Sequence, residues 1–327
     1  MSYTILIPET IAPDAFKAAE GRKDIVFERF ALSIAQSDFR ARLGSVHAAI
    51  LGLTPFADPE LDAAPKLKVI ARVGVGYDAI DVAALTRRGI PLMITGIANS
   101  VSVAEQALAF MFAFAKRIHD LNERVVTHRW MSRFENFPTD LFEKTVLIVG
   151  CGRIGSRMAK RCVALEMNTL VYDPFIQQDI IRGLGAQPVS DLDGAIAQAD
   201  YVSIHCPKSQ ATLNLFDAKR LALMKQGAVL INTARGGIVD EKALAAALES
   251  GKLFGAGLDV YNNEPPEAAN PLLSLPQVIS APHMAGVTWE AWNRMAYTAV
   301  RNAIEVLDGK PNHEHTVNPQ VYGAKAA

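Results

Sequence analysis

Cysteine is scarce in this chain of 327 residues: the three thiols, Cys151, Cys162 and Cys206, are an odd number without the paired spacing of a zinc site. That argues against a disulfide framework and against a metal centre, and for free thiols in a reducing compartment. Charge of one sign is equally absent, since 33 basic residues face 34 acidic ones with no dense run of either. Such a surface has no field to draw nucleic acid or an anionic membrane, so a small-molecule ligand is expected. The apolar run from Ala107 to Ala115 is far too short to cross a bilayer. Met1 to Pro8 carry no basic flank and read as a first strand rather than a signal peptide, which makes a cytoplasmic protein the expectation. Internal repeats and low-complexity tracts are also missing.

Half of the residues are hydrophobic, enough at this length for two domains with their own cores. Five short apolar runs suit strands in the first part: 4–7, 25–30, 48–53, 67–73 and 91–95. A second series follows at 146–149, 169–172, 201–205, 228–232, 256–260 and 278–280. Helical stretches intervene, among them 14–20, 80–88 and 241–250, and this alternation predicts an α/β protein with two open, mostly parallel sheets. Between the two series, Ser102 and Glu105 fit a capping box ahead of an apolar helix running to Lys116. Residues 122–140, with Trp130, Phe134 and Phe137, read as a long irregular connection, either tucked on its own domain or packing on a second subunit. Helical spacing from Trp289 to Leu307 stops at Gly309-Lys310-Pro311.

The run Val146–Val149 leads straight into Gly150-Cys151-Gly152-Arg153-Ile154-Gly155, which is G-x-G-x-x-G, and a second run ends at Asp173. The first glycine permits the strand-to-helix turn, the second lets backbone approach a pyrophosphate, and the third lets the helix pack closely on the sheet. The following helix aims unpaired N–H groups at phosphate, and a carboxylate at Asp173 suits ribose hydroxyls while repelling a 2′-phosphate. NAD is therefore the expected cofactor.

Three further residues fall just past strand ends: Arg235, Glu264 and His283. Ligands of open parallel sheets collect outside the carboxyl ends of the strands, so the three are expected to face one crevice. Histidine titrates near neutral pH and suits proton transfer to or from a hydroxyl. A neighbouring carboxylate orients the ring, and a guanidinium pairs with a substrate carboxylate in a planar fork. The types together suit hydride transfer at a 2-hydroxy acid.

The segments 232–241, 259–265 and 281–283, Asn-Thr-Ala-Arg-Gly-Gly-Ile-Val-Asp-Glu, Asp-Val-Tyr-Asn-Asn-Glu-Pro and Ala-Pro-His, resemble the Arg, Glu and His motifs of the D-isomer-specific 2-hydroxyacid dehydrogenases. The resemblance implies two doubly wound parallel-sheet domains: a flavodoxin-like substrate domain from 1–98 plus 289–327, and a Rossmann NAD-binding domain over 99–288. It also implies a homodimer. Carried onto this sequence, it places Gly150, Gly152, Arg153, Ile154, Gly155, Asp173, His205, Cys206, Pro207, Thr212, Thr233, Ala234, Arg235, Asp259, His283 and Gly286 along the cofactor. It makes Arg235, Glu264 and His283 catalytic, and it sets Arg72, Val75, Gly76 and Asn99 against the substrate.

Within that family the pattern is most similar to the D-3-phosphoglycerate dehydrogenases, with a departure. Where those enzymes commonly carry an arginine for the substrate phosphate, this chain has Leu51-Gly52-Leu53-Thr54-Pro55-Phe56. Arg133 could supply a positive charge across a dimer, and Trp289 and Trp292 could narrow the pocket. Phosphoglycerate, hydroxypyruvate and glyoxylate all stay open as substrate classes. A protein-binding module that senses NAD(H), like the C-terminal-binding co-repressors, is the alternative.

Overall fold

The computed structural model describes residues Ser2 to Gly323. The chain divides into two compact units, one formed by residues up to Asn99 together with those from Val287 onward, the other by Ser100–Gly286. The first unit holds β1 (Tyr3–Pro8), β2 (Ile25–Phe30), β3 (Ala48–Leu51), β4 (Val69–Arg72) and β5 (Leu92–Met93). All pair in parallel, in the order β2-β1-β3-β4-β5.

Strand residues point alternately to opposite faces, so a sheet covered on both sides reads as an unbroken apolar run. On β1, Ile5 and Ile7 enter a core with Met295, Ala299 and Val300 of the helix Trp289–Leu307, whereas Leu6 enters the opposite core with Phe30, Phe39 and Leu85. That helix keeps the bounds read from the sequence because Thr288 caps it, its hydroxyl accepting the Ala291 N–H at 3.1 Å. Trp292 is partly buried against the apolar core of this unit. The stretch expected as a helix at 14–20 is a tighter 3₁₀ turn, Pro13–Ala19.

After Thr316, which bridges to Met93, the chain reaches Asn318. Asn318 is buried; its Oδ1 accepts the Leu92 N–H at 2.8 Å and its Nδ2 donates to the Ile90 carbonyl at 3.0 Å. An edge strand of two residues is thereby given partners it cannot find in the sheet.

The second unit holds β6 (Thr145–Val149), β7 (Asn168–Tyr172), β8 (Gln187–Val189), β9 (Tyr201–Ile204), β10 (Ala228–Asn232), β11 (Leu253–Leu258) and β12 (Val278–Ser280). They form a parallel sheet in the order β12-β11-β10-β9-β6-β7-β8. The order reverses direction at β6, the switch point where crevices open in such sheets. Two strand readings need correction. The edge strand β8 is three residues long and contains Pro188, too short and too broken for an apolar run to mark it. Strand β11 starts three residues earlier than expected, because Gly255 and Gly257 leave room for the rings of Phe114 and Phe110.

The helix between the two strand series runs Ser100–Ala115, so Ser102 lies inside it, buried, and does not cap it. Glu105 instead faces Arg161 at 3.4 Å. Nor is the stretch 122–140 irregular from its start: the helix Ile118–Val126 occupies its first turns, and a 3₁₀ turn, Trp130–Phe134, follows. Among the described residues no helix is long and apolar enough to cross a membrane.

Candidate active site

Parallel pairing sends the carboxyl ends of β6, β7, β9, β10, β11 and β12 to one edge of the sheet, and every candidate in the second unit lies just past one of them. After β6 the chain turns through the glycine finger into the helix Gly155–Ala164. Gly150 adopts φ +96°, and a Cβ there would sit 2.6 Å from the Cys206 nitrogen. A Cβ on Gly155 would land on the Gly150 carbonyl oxygen. Both positions demand glycine, one for the turn and one for the helix packing on it, while a Cβ on Gly152 would meet nothing within 4 Å, so the bare backbone there lies open to a pyrophosphate at the helix N-terminus.

Asp173, past β7, closes this cradle. Its Oδ2 accepts the Cys151 N–H at 2.7 Å, and its Oδ1 accepts those of Phe175 at 2.9 Å and Ile176 at 3.2 Å. Past β9, His205 presents one ring nitrogen to Ser203 Oγ at 2.9 Å while its Nδ1 is buried without a protein partner. Burial pushes this imidazole down to about 4, so it is neutral at physiological pH. Burial also pushes the Cys206 thiol up to about 11, which leaves it protonated and unreactive. Thr212 bonds the Pro207 carbonyl at 2.7 Å and receives the Ser209 N–H at 2.8 Å, shaping the loop after β9. Past β10, Thr233 buries its hydroxyl without a protein partner. A bare glycine turn, a carboxylate at the second strand end and two orphaned polar atoms along the same edge fit a dinucleotide.

Asn232 fixes the turn that carries Arg235. Its buried amide donates to the Arg235 carbonyl at 2.9 Å and accepts the Ala234 N–H at 3.0 Å. Arg235 Nη1 donates to the Ala234 carbonyl at 2.7 Å. Past β11, Glu264 Oε2 meets His283 Nδ1 at 2.6 Å, and Glu264 Oε1 accepts the Tyr261 N–H at 3.1 Å. The sequence could not give that separation, because it depends on β11 and β12 being sheet neighbours.

His283 itself has φ +55°, the left-handed region that ordinary residues enter at a cost. Asp259 holds it there. The Asp259 carbonyl accepts the His283 N–H at 2.8 Å, and its carboxylate accepts the N–H groups of Met284 at 2.8 Å and Ala285 at 2.9 Å. Burial raises the Asp259 carboxyl above its usual range, and the two N–H groups oppose that. The resemblance set Asp259 along the cofactor; in the fold its oxygens also shape the histidine turn leading to Gly286.

Arg72, Val75, Gly76 and Asn99 all belong to the first unit. Arg72 ends β4 and donates from Nη1 to the Val73 carbonyl at 2.8 Å, beside Gly74 at φ +136°. Asn99 buries its Oδ1 without a protein partner. Among the described residues, no group of three or more His, Cys, Asp or Glu side chains is placed to hold a metal ion.

A second feature of the Ser100–Gly286 unit is an apolar arm. Trp130, Met131, Phe134 and Phe137 are all exposed, while the buried Arg124 donates to the Ser132 and Glu135 carbonyls at 2.5 and 2.7 Å and pairs with Asp120 at 2.8 Å. The Arg133 guanidinium rests over the rings of Trp130 and Phe134 at 5.8 and 4.9 Å. The arm is thus held in shape by its own chain.

Residues 108–285 match the family model described as D-isomer specific 2-hydroxyacid dehydrogenase, NAD binding domain. The chain is 40% identical over 251 residues to a D-3-phosphoglycerate dehydrogenase of Archaeoglobus fulgidus, covering 77% of this chain and 47% of that protein. It therefore spans about half the length of the phosphoglycerate dehydrogenases it matches. A glyoxylate/hydroxypyruvate reductase B of Citrobacter koseri is 39% identical over 265 residues, covering 80% of this chain and 82% of that one. Among solved structures, a D-lactate dehydrogenase of Aquifex aeolicus in complex with NAD and lactic acid superposes with a TM-score of 0.85 at 27% identity, covering 96% of this chain and 99% of that chain.

Proposed function

The chain belongs to the D-isomer-specific 2-hydroxyacid dehydrogenase family, and from that premise we propose that it transfers a hydride between NAD(H) and a D-2-hydroxy acid or its 2-keto acid. The observation that carries the reading is the 2.6 Å bond between His283 and Glu264 at the sheet edge that also bears the glycine finger and Arg235. NAD, when bound, would supply the hydride chemistry at C2 of the substrate. The rest falls to side chains. Because Nδ1 of His283 is held by Glu264, Nε2 is the nitrogen left to take the hydroxyl proton in oxidation and return it in reduction. Glu264 stabilises the protonated ring, and Arg235 pairs with the substrate carboxylate and polarises the reacting oxygen.

In this reading Gly150, Gly152, Arg153, Ile154 and Gly155 cradle the pyrophosphate and Asp173 holds the ribose. His205, Cys206, Pro207, Thr212, Thr233, Ala234, Asp259 and Gly286 line the rest of the cofactor. Arg72, Val75, Gly76 and Asn99 of the first unit, the substrate domain, receive the acid. Phosphohydroxypyruvate, hydroxypyruvate and glyoxylate are the candidate substrates, supported by the names of the relatives above. Those names are of enzymes and do not favour the co-repressor alternative. The exposed, pre-shaped arm supports a homodimer in which Arg133 adds a positive charge, and the three free thiols support a reducing, cytoplasmic setting.

The test is NADH consumption with these 2-keto acids. His283→Ala is expected to lower turnover by roughly 10²–10⁴ with NADH affinity nearly intact. Turnover at the parent rate in that variant would remove the histidine from the reaction.

A further inference from the structure

Glu241 opens the helix Glu241–Glu249 that follows the Arg235 loop, and the chemistry above gives it no task. Its carboxylate faces the neighbouring loop. Oε1 accepts the Asn262 N–H at 2.5 Å and Oε2 accepts the Asn270 side-chain amide at 2.7 Å. Glu264 lies between those two anchor points. From Tyr261 to Asn270 the chain has neither helix nor strand of its own, and most of its residues are exposed. Only local bonds can keep such a segment in one place.

Other contacts join the same two loops. A Cβ on Gly236, the residue after Arg235, would land on the Tyr261 carbonyl oxygen, so the backbones lie against each other. The Tyr261 hydroxyl in turn meets Ser280 Oγ of β12 at 2.5 Å. The chemistry at position 241 is specific as well. Asn270 cannot turn its amide round, because its Oδ1 already accepts the Leu272 N–H at 3.0 Å. Its NH₂ must therefore face position 241, which has to offer two acceptors. A carboxylate does; a glutamine offers one acceptor and one donor.

We propose that Glu241 is a positioning residue, stapling the loop that carries Glu264 to the loop that carries Arg235. Carboxylate, imidazole and guanidinium then hold one geometry. The inference rests on the acid/base reading of Glu264 and His283. An open cleft of about 450 Å³ borders the staple, lined in part by Glu241, Asn262, Asn263 and Asn270, so water can fill the space left by a shorter side chain and the fold can persist.

The experiment compares Glu241→Ala and Glu241→Gln, each in the parent and in a Glu264→Gln background, by steady-state kinetics and NADH fluorescence titration. Glu241→Ala is expected to lower kcat about 10- to 100-fold by displacing Glu264, with the NADH dissociation constant and the KM for NADH unchanged. Glu241→Gln, keeping one of the two bonds, should fall between. In the Glu264→Gln background the Glu241→Ala loss should vanish, since residues acting as a unit are not additive. A kcat within about twofold of the parent, an equal fold-loss in both backgrounds, or a loss explained by weaker NADH binding would each overturn the staple. His283→Ala in the same assay separates the two ideas: full turnover there sinks the acid/base reading, whereas lost turnover beside an unaffected Glu241→Ala sinks the staple alone.

Discussion

Lowering the pH should weaken the fold through His205, whose imidazole burial depresses the furthest. Its imidazole, ordinarily half protonated near 6.5, is pushed down to about 4 by burial. Above 6.5 both folded and unfolded chains leave it neutral, and its cost is nil. Below that value the unfolded chain takes up a proton that the folded chain refuses until about 4. The unfolded state therefore binds more protons in that window, and stability falls as the pH falls. The whole gap corresponds to roughly 3 kcal/mol, of which about 2 kcal/mol should be lost by pH 5. Urea denaturation at pH 8 and pH 5, run on the parent and on His205→Gln, isolates the contribution. Asp259, whose carboxyl burial raises, and His47, whose imidazole burial lowers, are present in both proteins and cancel. The parent should lose about 2 kcal/mol more than the variant between the two pH values, a midpoint difference on the order of 1 M urea. Equal losses would show that the ring titrates normally and that its Nδ1 reaches water.

Two other substitutions probe the two units. Gly155→Ala drives a Cβ into the Gly150 carbonyl, a strain of about 1–3 kcal/mol, and NADH affinity measured by fluorescence should fall about tenfold or more; unchanged affinity would remove the glycine turn from the cofactor site. Asn318→Ala strands the Leu92 N–H and the Ile90 carbonyl inside the first unit and should cost about 2–4 kcal/mol in urea denaturation; a loss below about 1 kcal/mol would mean that water replaces the amide.

What the sequence disclosed and what it hid divide along physical lines. Strands buried on both faces read as solid apolar runs, so β1, β6 and β10 were visible, and the helix Trp289–Leu307 was marked by its apolar spacing and by the stop at Gly309. Short edge pieces such as β8 carry too little apolar signal. Ser102 misled because a capping pattern is local, while the helix start was set by burial of Ser100 and its neighbours. At the site, residue types announced proton transfer, but the meeting of Glu264 with His283 needed the pairing of β11 and β12. Glu241 was hidden in plain view within a quoted motif, since its partners are a main-chain N–H and an amide that no side-chain pattern marks.

The way the chain is divided also bears on how it is made. The second unit is one uninterrupted stretch, Ser100–Gly286, and can complete its sheet as soon as it clears the ribosome. The first unit starts before it yet is completed after it, because one face of its sheet waits for Trp289–Leu307 and its edge waits for Asn318. The five strands thus keep an uncovered apolar side until Trp289–Leu307 has been made.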